Sequence, residues 1–217
     1  VPAFQADHSV RLALRLTDAV GVPHAGYRLA CQVTEAETAW AEARLRAIDA
    51  GARGPRIGLQ VASFPTKAYR DWPVGHFAAL CEKILAAYPQ AHFLLLGGKE
   101  EAAKIRELDG LLGDHATVVA GKLTLRQSTA LMRQLDLYVG VDTGPTHLAG
   151  AIGVPMVALY HCYSPGRLLA PLERDQLHVI EHPALDQGGT MQSEMAEITV
   201  ETVWEAVQAV LNKGNNG

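Results

Sequence analysis

The sequence predicts an α/β fold, a doubly wound Rossmann-like parallel sheet. Two observations carry the sheet. Short runs such as 91–96 (Ala-His-Phe-Leu-Leu-Leu) and 155–160 (Pro-Met-Val-Ala-Leu-Tyr) are apolar almost throughout. They lack the alternation of a half-exposed strand, so both faces of the sheet are covered. Amphipathic helical stretches separate these runs, which is the pattern of βαβ units. Right-handed crossovers then place helices on both sides.

The elements follow in order. Residues 8–20 read as a helix with apolar Val10, Leu12, Leu14, Leu16 and Val20, stopped by Gly21-Val22-Pro23. Residues 28–33 are a short extended piece. Thr34 caps a helix from 35 to about 50, with Glu37 at the capping-box position. Gly51 and Gly54-Pro55 break the chain. Strand 56–61 leads through a loop to helix 74–88, and strand 91–96 leads through Gly97-Gly98 to helix 99–112. Strand 116–120 leads through Gly121 to helix 124–134, with Thr124 as its cap. Strand 137–141 leads to helix 145–152, and strand 155–160 to a long loop. Strand 177–180 and helix 200–212 finish the pattern before a Lys-Gly-Asn-Asn-Gly tail.

The chain has 217 residues, 48% apolar and 19% charged, enough for a sizeable core in one α/β domain or two small ones. A net charge of −4 with no long basic run argues against nucleic acid as a partner. The three cysteines, Cys31, Cys81 and Cys162, form no C-x-x-C pair. That fits a reducing cytoplasm better than a disulfide framework. No apolar stretch approaches the roughly 18–20 residues of a membrane span, and no signal peptide is expected.

In a doubly wound sheet, ligands bind beyond the carboxyl ends of the strands. The turn Gly140-Val141-Asp142-Thr143-Gly144-Pro145-Thr146-His147 stands at such an end. Proline is tolerated in the first turn of a helix, and Asp142 or Thr143 is positioned to cap it. Free N–H groups and the positive dipole end then make a phosphate site. The alternative is an ordinary capped helix with an Asp. Loop 62–73 supplies Ser63, Thr66, Lys67 and Arg70, of which Lys67 or Arg70 is placed to neutralise a diphosphate. The bland reading is a solvated loop whose Trp72-Pro73 starts the next helix. After Gly97-Gly98, an acid at Glu100 or Glu101 is positioned to bind a ribose diol or to complement a helix dipole. The histidines have no metal-ligand spacing, and no D-x-D occurs, so no metal and no cofactor are expected.

Together these segments resemble the C-terminal half of glycosyltransferase family 9, the lipopolysaccharide heptosyltransferase family. The resemblance rests on Val141-Asp142-Thr143-Gly144-Pro145-Thr146-His147-Leu148-Ala149, then Ala151-Ile152-Gly153-Val154-Pro155. It rests also on Asp71-Trp72-Pro73 with Phe77 and Leu80, and on Leu94-Leu95-Leu96-Gly97-Gly98. It covers about residues 55–212, and residues 8–50 resemble the connector before this half. Two departures stand in the first loop. It reads Gln60-Val61-Ala62-Ser63 where the family has a Pro-Gly-Ala-Ser-like turn, and Arg70 where the family usually has Lys.

The resemblance implies the C-terminal domain of a GT-B glycosyltransferase, divided into residues 1–54, a helical connector from an N-terminal domain outside this chain, and residues 55–217, a nucleotide-sugar-binding Rossmann-like domain. It implies an inverting, metal-independent transfer from ADP-heptose or another nucleotide sugar to a lipopolysaccharide-core or related glycan. The acceptor and the general base would lie on the other domain. The expected place is the cytoplasm, including the inner face of the inner membrane. Asp142 would contact the donor sugar, Thr143 and Gly144 the diphosphate, and His147 would line the pocket. Ser63 would bind phosphate, Arg70 with Lys67 would stabilise the leaving group, and Glu100 or Glu101 would take the ribose. The competing readings are a non-catalytic nucleotide-sugar-binding module and a GT-B enzyme using a UDP-sugar.

Overall fold

The structure, a computed structural model, describes residues 7–48 and 54–214. Two helices come first, α1 (Ser9–Ala19) and α2 (Glu35–Ile48). Then β1 (Arg56–Gln60), α3 (Val74–Ala87), β2 (His92–Leu96), α4 (Ala102–Leu112) and β3 (Ala116–Val118) form one winding. The second comprises α5 (Leu125–Met132), β4 (Leu137–Val141), α6 (Gly144–Ile152), β5 (Met156–Tyr160), α7 (Gly166–Leu169), β6 (Leu177–Glu181) and α8 (Val200–Gly214). The strands pair in parallel in the order β3-β2-β1-β4-β5-β6. This is the Rossmann order. The winding reverses between β1 and β4, where Gln60 lies opposite Gly140. The crevice beyond that pair is where such sheets hold ligands.

Each face of the sheet has its own core. One face packs Phe77, Leu80 and Ile84 of α3, Ile105 and Leu108 of α4, and Val203 and Val207 of α8 against Leu59, Val139 and Leu159. The other packs Leu131 and Met132 of α5, Ala149 and Ile152 of α6, and Leu45 of α2 against Leu94, Tyr138 and Ala158. The strand residues in both lists are fully buried, which is why the strands read as unbroken apolar runs. Helix α2 thus covers the sheet face that α5 and α6 leave open. Its expected capping box is present: Thr34 N–H donates to Glu37 Oε2 at 2.8 Å and Glu37 N–H to Thr34 Oγ1 at 3.3 Å. The same Glu37 forms an ion pair with Arg126 of α5.

Several boundaries move. The helix read from 99 starts at Ala102, because Glu101 turns back so that its carboxylate accepts the Gly98 N–H at 2.6 Å. The strand read to 120 ends at Val118, although Val119 and Ala120 still donate to Leu95 O at 3.1 Å. Helix α5 has the expected Thr124 cap, reciprocated by Gln127, and ends at Met132 rather than 134. Helix α8 runs on to Gly214, into the tail, and the long loop after β5 contains the short α7. The break at Gly51 and the end of the helix read to 50 lie outside the described residues. Among the described residues, no helix is long and apolar enough to cross a membrane.

Candidate functional site

The loop after β1 is organised by one buried carboxylate. Asp71 Oδ1 accepts the Ser63 N–H at 2.7 Å and lies 2.6 Å from Ser63 Oγ, and its Oδ2 lies 2.7 Å from Lys104 Nζ of α4. The side chain of Asp71 is 5% exposed, so it needs these partners in place of water. Trp72 anchors the far end of the loop. It is fully buried, stacks edge-on against Phe77, and donates from Nε1 to Ile198 O at 2.8 Å. Between these anchors, Pro65–Arg70 forms a 3₁₀ turn that presents Lys67 and Arg70.

The turn after β4 has a different anchor. Thr146, fully buried, donates its hydroxyl to Val141 O at 2.5 Å. Its only hydrogen is thereby used, so the Tyr138 hydroxyl donates to it at 2.9 Å. The strand end and the first turn of α6 are tied together by this relay. Helix α6 begins at Gly144, with Pro145 second and Thr143 in the cap position. The expected side-chain cap is absent: Thr143 makes no capping hydrogen bond. The Asp142 carboxylate is drawn elsewhere, to Arg70 Nη1 at 2.7 Å and His147 Nε2 at 3.3 Å. The Arg70 guanidinium competes for it more strongly than a neutral backbone N–H does. The Gly144 N–H belongs to the first turn, where a helix supplies no partner of its own.

The two loops meet at the reversal point. Ser63, Phe64, Lys67, Arg70, Asp142, Thr143, Gly144 and His147 line one cleft of about 170 Å³. Sequence reasoning named all of these but Phe64. It also named Thr66, Glu100 and Glu101, which do not line the cleft. Thr66 and Glu100 are exposed, and Glu101 is folded against Gly98. The Ser63 hydroxyl faces two acceptors, Asp71 Oδ1 at 2.6 Å and Lys67 O at 2.7 Å, with a single hydrogen. The hydroxyl thus holds the loop as well as lining the cleft. A larger cavity of about 670 Å³ opens at the opposite, amino edge of the sheet, around Tyr88, Leu135 and Pro155. Among the described residues its lining includes no cation or histidine, whereas the smaller cleft stands where the sheet geometry directs ligands.

The charges in the cleft are arranged around Asp142. Its side chain is 2% exposed and that of Arg70 19%. The guanidinium's hydrogen bond to Asp142 runs to the main-chain carbonyl, at 3.3 Å. The contact with Oδ2 is close but not aligned as a hydrogen bond, so that oxygen retains acceptor capacity. Two side chains that sequence reasoning did not single out support Arg70: its Nε donates to Tyr69 OH at 3.2 Å and its Nη2 to Ser164 Oγ at 3.1 Å. Burial raises the Tyr69 pKa, but the Ser164 hydrogen bond and the Arg70 contacts outweigh it and set the hydroxyl below its ordinary value. The arrangement offers an anion a guanidinium, an ammonium and a helix N-terminus, and offers hydroxyl groups a carboxylate and an imidazole.

A family model described as glycosyltransferase family 9 (heptosyltransferase) matches residues 3–195. The chain belongs to glycosyltransferase family 9. The match includes α1 and α2 as well as the sheet. Among curated family 9 proteins, the chain is 28% identical to lipopolysaccharide core heptosyltransferase OpsX of Haemophilus influenzae, over 64% of this chain and 41% of that protein. It is 30% identical to lipopolysaccharide heptosyltransferase 1 of Campylobacter coli, over 41% of this chain and 27% of that protein. The chain spans less than half the length of the curated relatives it matches. Among solved structures, a family 9 glycosyltransferase from Veillonella parvula superposes with a TM-score of 0.80 at 20% identity, covering 97% of this chain and 62% of that one. The E. coli heptosyltransferase WaaC with ADP superposes with a TM-score of 0.65 at 19% identity, covering 95% and 57%. These likenesses establish the shared GT-B-type fold.

Proposed function

We propose that this chain holds the nucleotide-sugar donor, an ADP-heptose, for an inverting and metal-independent glycosyl transfer that builds lipopolysaccharide or a related surface glycan. The observation that carries this reading is the convergence of Arg70, Lys67, Asp142, His147 and the N-terminus of α6 on one cleft at the reversal point of a family 9 sheet. Solved structures of the E. coli heptosyltransferase WaaC with ADP and with ADP-2-deoxy-2-fluoro heptose share this fold, which supports the choice of donor. In this reading the diphosphate lies against the Gly144 N–H and the two cations, and Asp142 takes hydroxyls of the sugar. Arg70 and Lys67 stabilise the charge that develops on the departing diphosphate. Glu100 or Glu101 takes the ribose. The acceptor, and the base that removes its proton, belong to a domain outside this chain. A cytoplasmic location fits the three free cysteines.

Calorimetric titration with ADP, UDP, GDP and ADP-heptose tests the reading. ADP-selective binding, unchanged by EDTA and weakened about tenfold by Arg70→Ala, is the expected result. For Asp142→Ala, the loss is expected with ADP-heptose and not with ADP. UDP selectivity would assign a different sugar-nucleotide donor, and an EDTA-sensitive affinity would overturn metal independence.

A further inference from the structure

The Arg70 side chain is held on one edge by a pair of hydroxyls, which fixes the direction that its other edge faces. A guanidinium has two bidentate edges, one formed by Nε and Nη2 and one by Nη1 and Nη2. In this protein the Nε/Nη2 edge is occupied. Tyr69 OH lies 3.2 Å from Nε, Ser164 Oγ lies 3.1 Å from Nη2, and the two oxygens are 3.1 Å apart. The three groups close a ring. Ser164 is 7% exposed and comes from the loop after β5, so the ring joins two loops that are separate in sequence.

We infer that Tyr69 and Ser164 are positioning residues for Arg70, locking its direction without neutralising it. The inference rests on the donor-site reading above. A carboxylate on that edge would hold the side chain equally well but cancel its charge. Two hydroxyls hold it and add no second carboxylate to the one that Arg70 already faces, Asp142, whose Oδ2 lies 2.7 Å from Nη1. Of the five N–H groups, three make these contacts and the one to the Asp142 carbonyl. One remains on each Nη, and a diphosphate oxygen that meets this edge does so beside Asp142 Oδ2, 2.7 Å from Nη1. A lysine at this position has no second edge to be held, so the clamp and the arginine function together.

The test is a double-mutant cycle read by ADP affinity. Tyr69→Phe keeps the ring packed edge-on against His161, 5.0 Å between centroids, and removes only the hydroxyl. Tyr69→Phe and Ser164→Ala are each expected to weaken ADP about tenfold, and Ser164→Thr to retain affinity. In an Arg70→Lys background, the same two substitutions are expected to change nothing further. Equal losses in both backgrounds, or none with Arg70 present, would overturn the clamp. A second readout needs no ligand: the Arg70 Nε–H resonance, identified by its disappearance in Arg70→Lys, should exchange slowly with water and exchange about tenfold faster in Tyr69→Phe. If ADP does not bind, slow exchange sustains the clamp and sinks the donor reading. Fast exchange in the unmodified chain sinks the clamp whether or not ADP binds.

Discussion

At the scale of single residues, the site depends on side chains whose work is to hold others. Asp71 fixes Ser63 and Lys104, Thr146 fixes the α6 turn, and Trp72 fixes Ile198. The Trp72 indole N–H is buried, and so is the carbonyl it serves. Trp72→Phe keeps most of the ring volume but leaves that carbonyl unpaired, which should cost about 1–3 kcal/mol in urea denaturation. The sequence made Asp142, Arg70 and His147 legible, because they sit in a motif with a defined turn chemistry. It did not make Ser164 legible. That serine lies ninety-four positions from Arg70, in a loop with no periodicity, and only the closure of the sheet brings it near. Asp71 was visible as part of Asp-Trp-Pro, yet nothing in the chain announces that its partners stand eight residues before it and thirty-three after it.

At the scale of elements, two details decide how α5 and α6 start. The capping box of α5 is formed on both sides, by Thr124 and Gln127. Thr124→Ala should therefore lower stability by about 1 kcal/mol, measured by the shift of the denaturation midpoint at constant slope. Helix α6 depends instead on Gly140. A Cβ there would stand 2.7 Å from Tyr138 OH and 2.8 Å from Gln60 Cβ. The missing side chain is what lets the Tyr138 ring lie along the strand and reach Thr146. Gly140→Ala should cost about 1–3 kcal/mol by overpacking. Its effect on ADP affinity should exceed that of Thr124→Ala, because the Tyr138–Thr146 tie reaches the ligand cleft and the α5 cap does not. The strands and helices themselves were legible, since a doubly covered strand and an amphipathic helix have distinct patterns. Their ends were less so. The start of α4 is set by a carboxylate folding back on Gly98, a contact that competes with helix propensity rather than following from it.

At the scale of the whole molecule, pH acts on the packing through buried imidazoles. Burial lowers the pKa of His161 below 6.5, against its bond to Ser193 O, with His182 and Arg70 adding to the effect. His8 is lowered in the same way, against its bond to Ala170 O. Each is neutral in the folded chain at a pH where the unfolded chain already takes up a proton. Their contribution is therefore complete above 6.5 and lost as pH falls through that value toward the lower folded one. Glu37 acts in a separate window. Its bond to Arg126, with those to Thr34, sets its pKa at about 2 against an ordinary 4.5, so its share is lost only in stronger acid. Urea midpoints should fall between pH 7.5 and 5.5, and His161→Gln should flatten that slope. A slope unchanged by His161→Gln would assign the effect to other groups. The doubly wound parallel architecture was legible from the alternation of elements and the rule of right-handed crossovers, whereas the order of the strands was not, because the pattern does not say to which side of the sheet each crossover turns. The place of α2 was not, because its sequence shows a helix but not which sheet face it covers.

That place bears on the order in which the protein is made. Leu45 emerges from a ribosome well before Leu131, Met132 and Ile152, the residues it packs with. During synthesis α2 has its apolar side ready while the surface meant for it does not yet exist. The first winding, β1 through β3 with α3 and α4, is able to assemble in sequence order, each strand finding a neighbour already made. The second face closes only when α5 and α6 arrive and the waiting helix folds down over them. A helix read as a connector is thus set in place long after it is delivered.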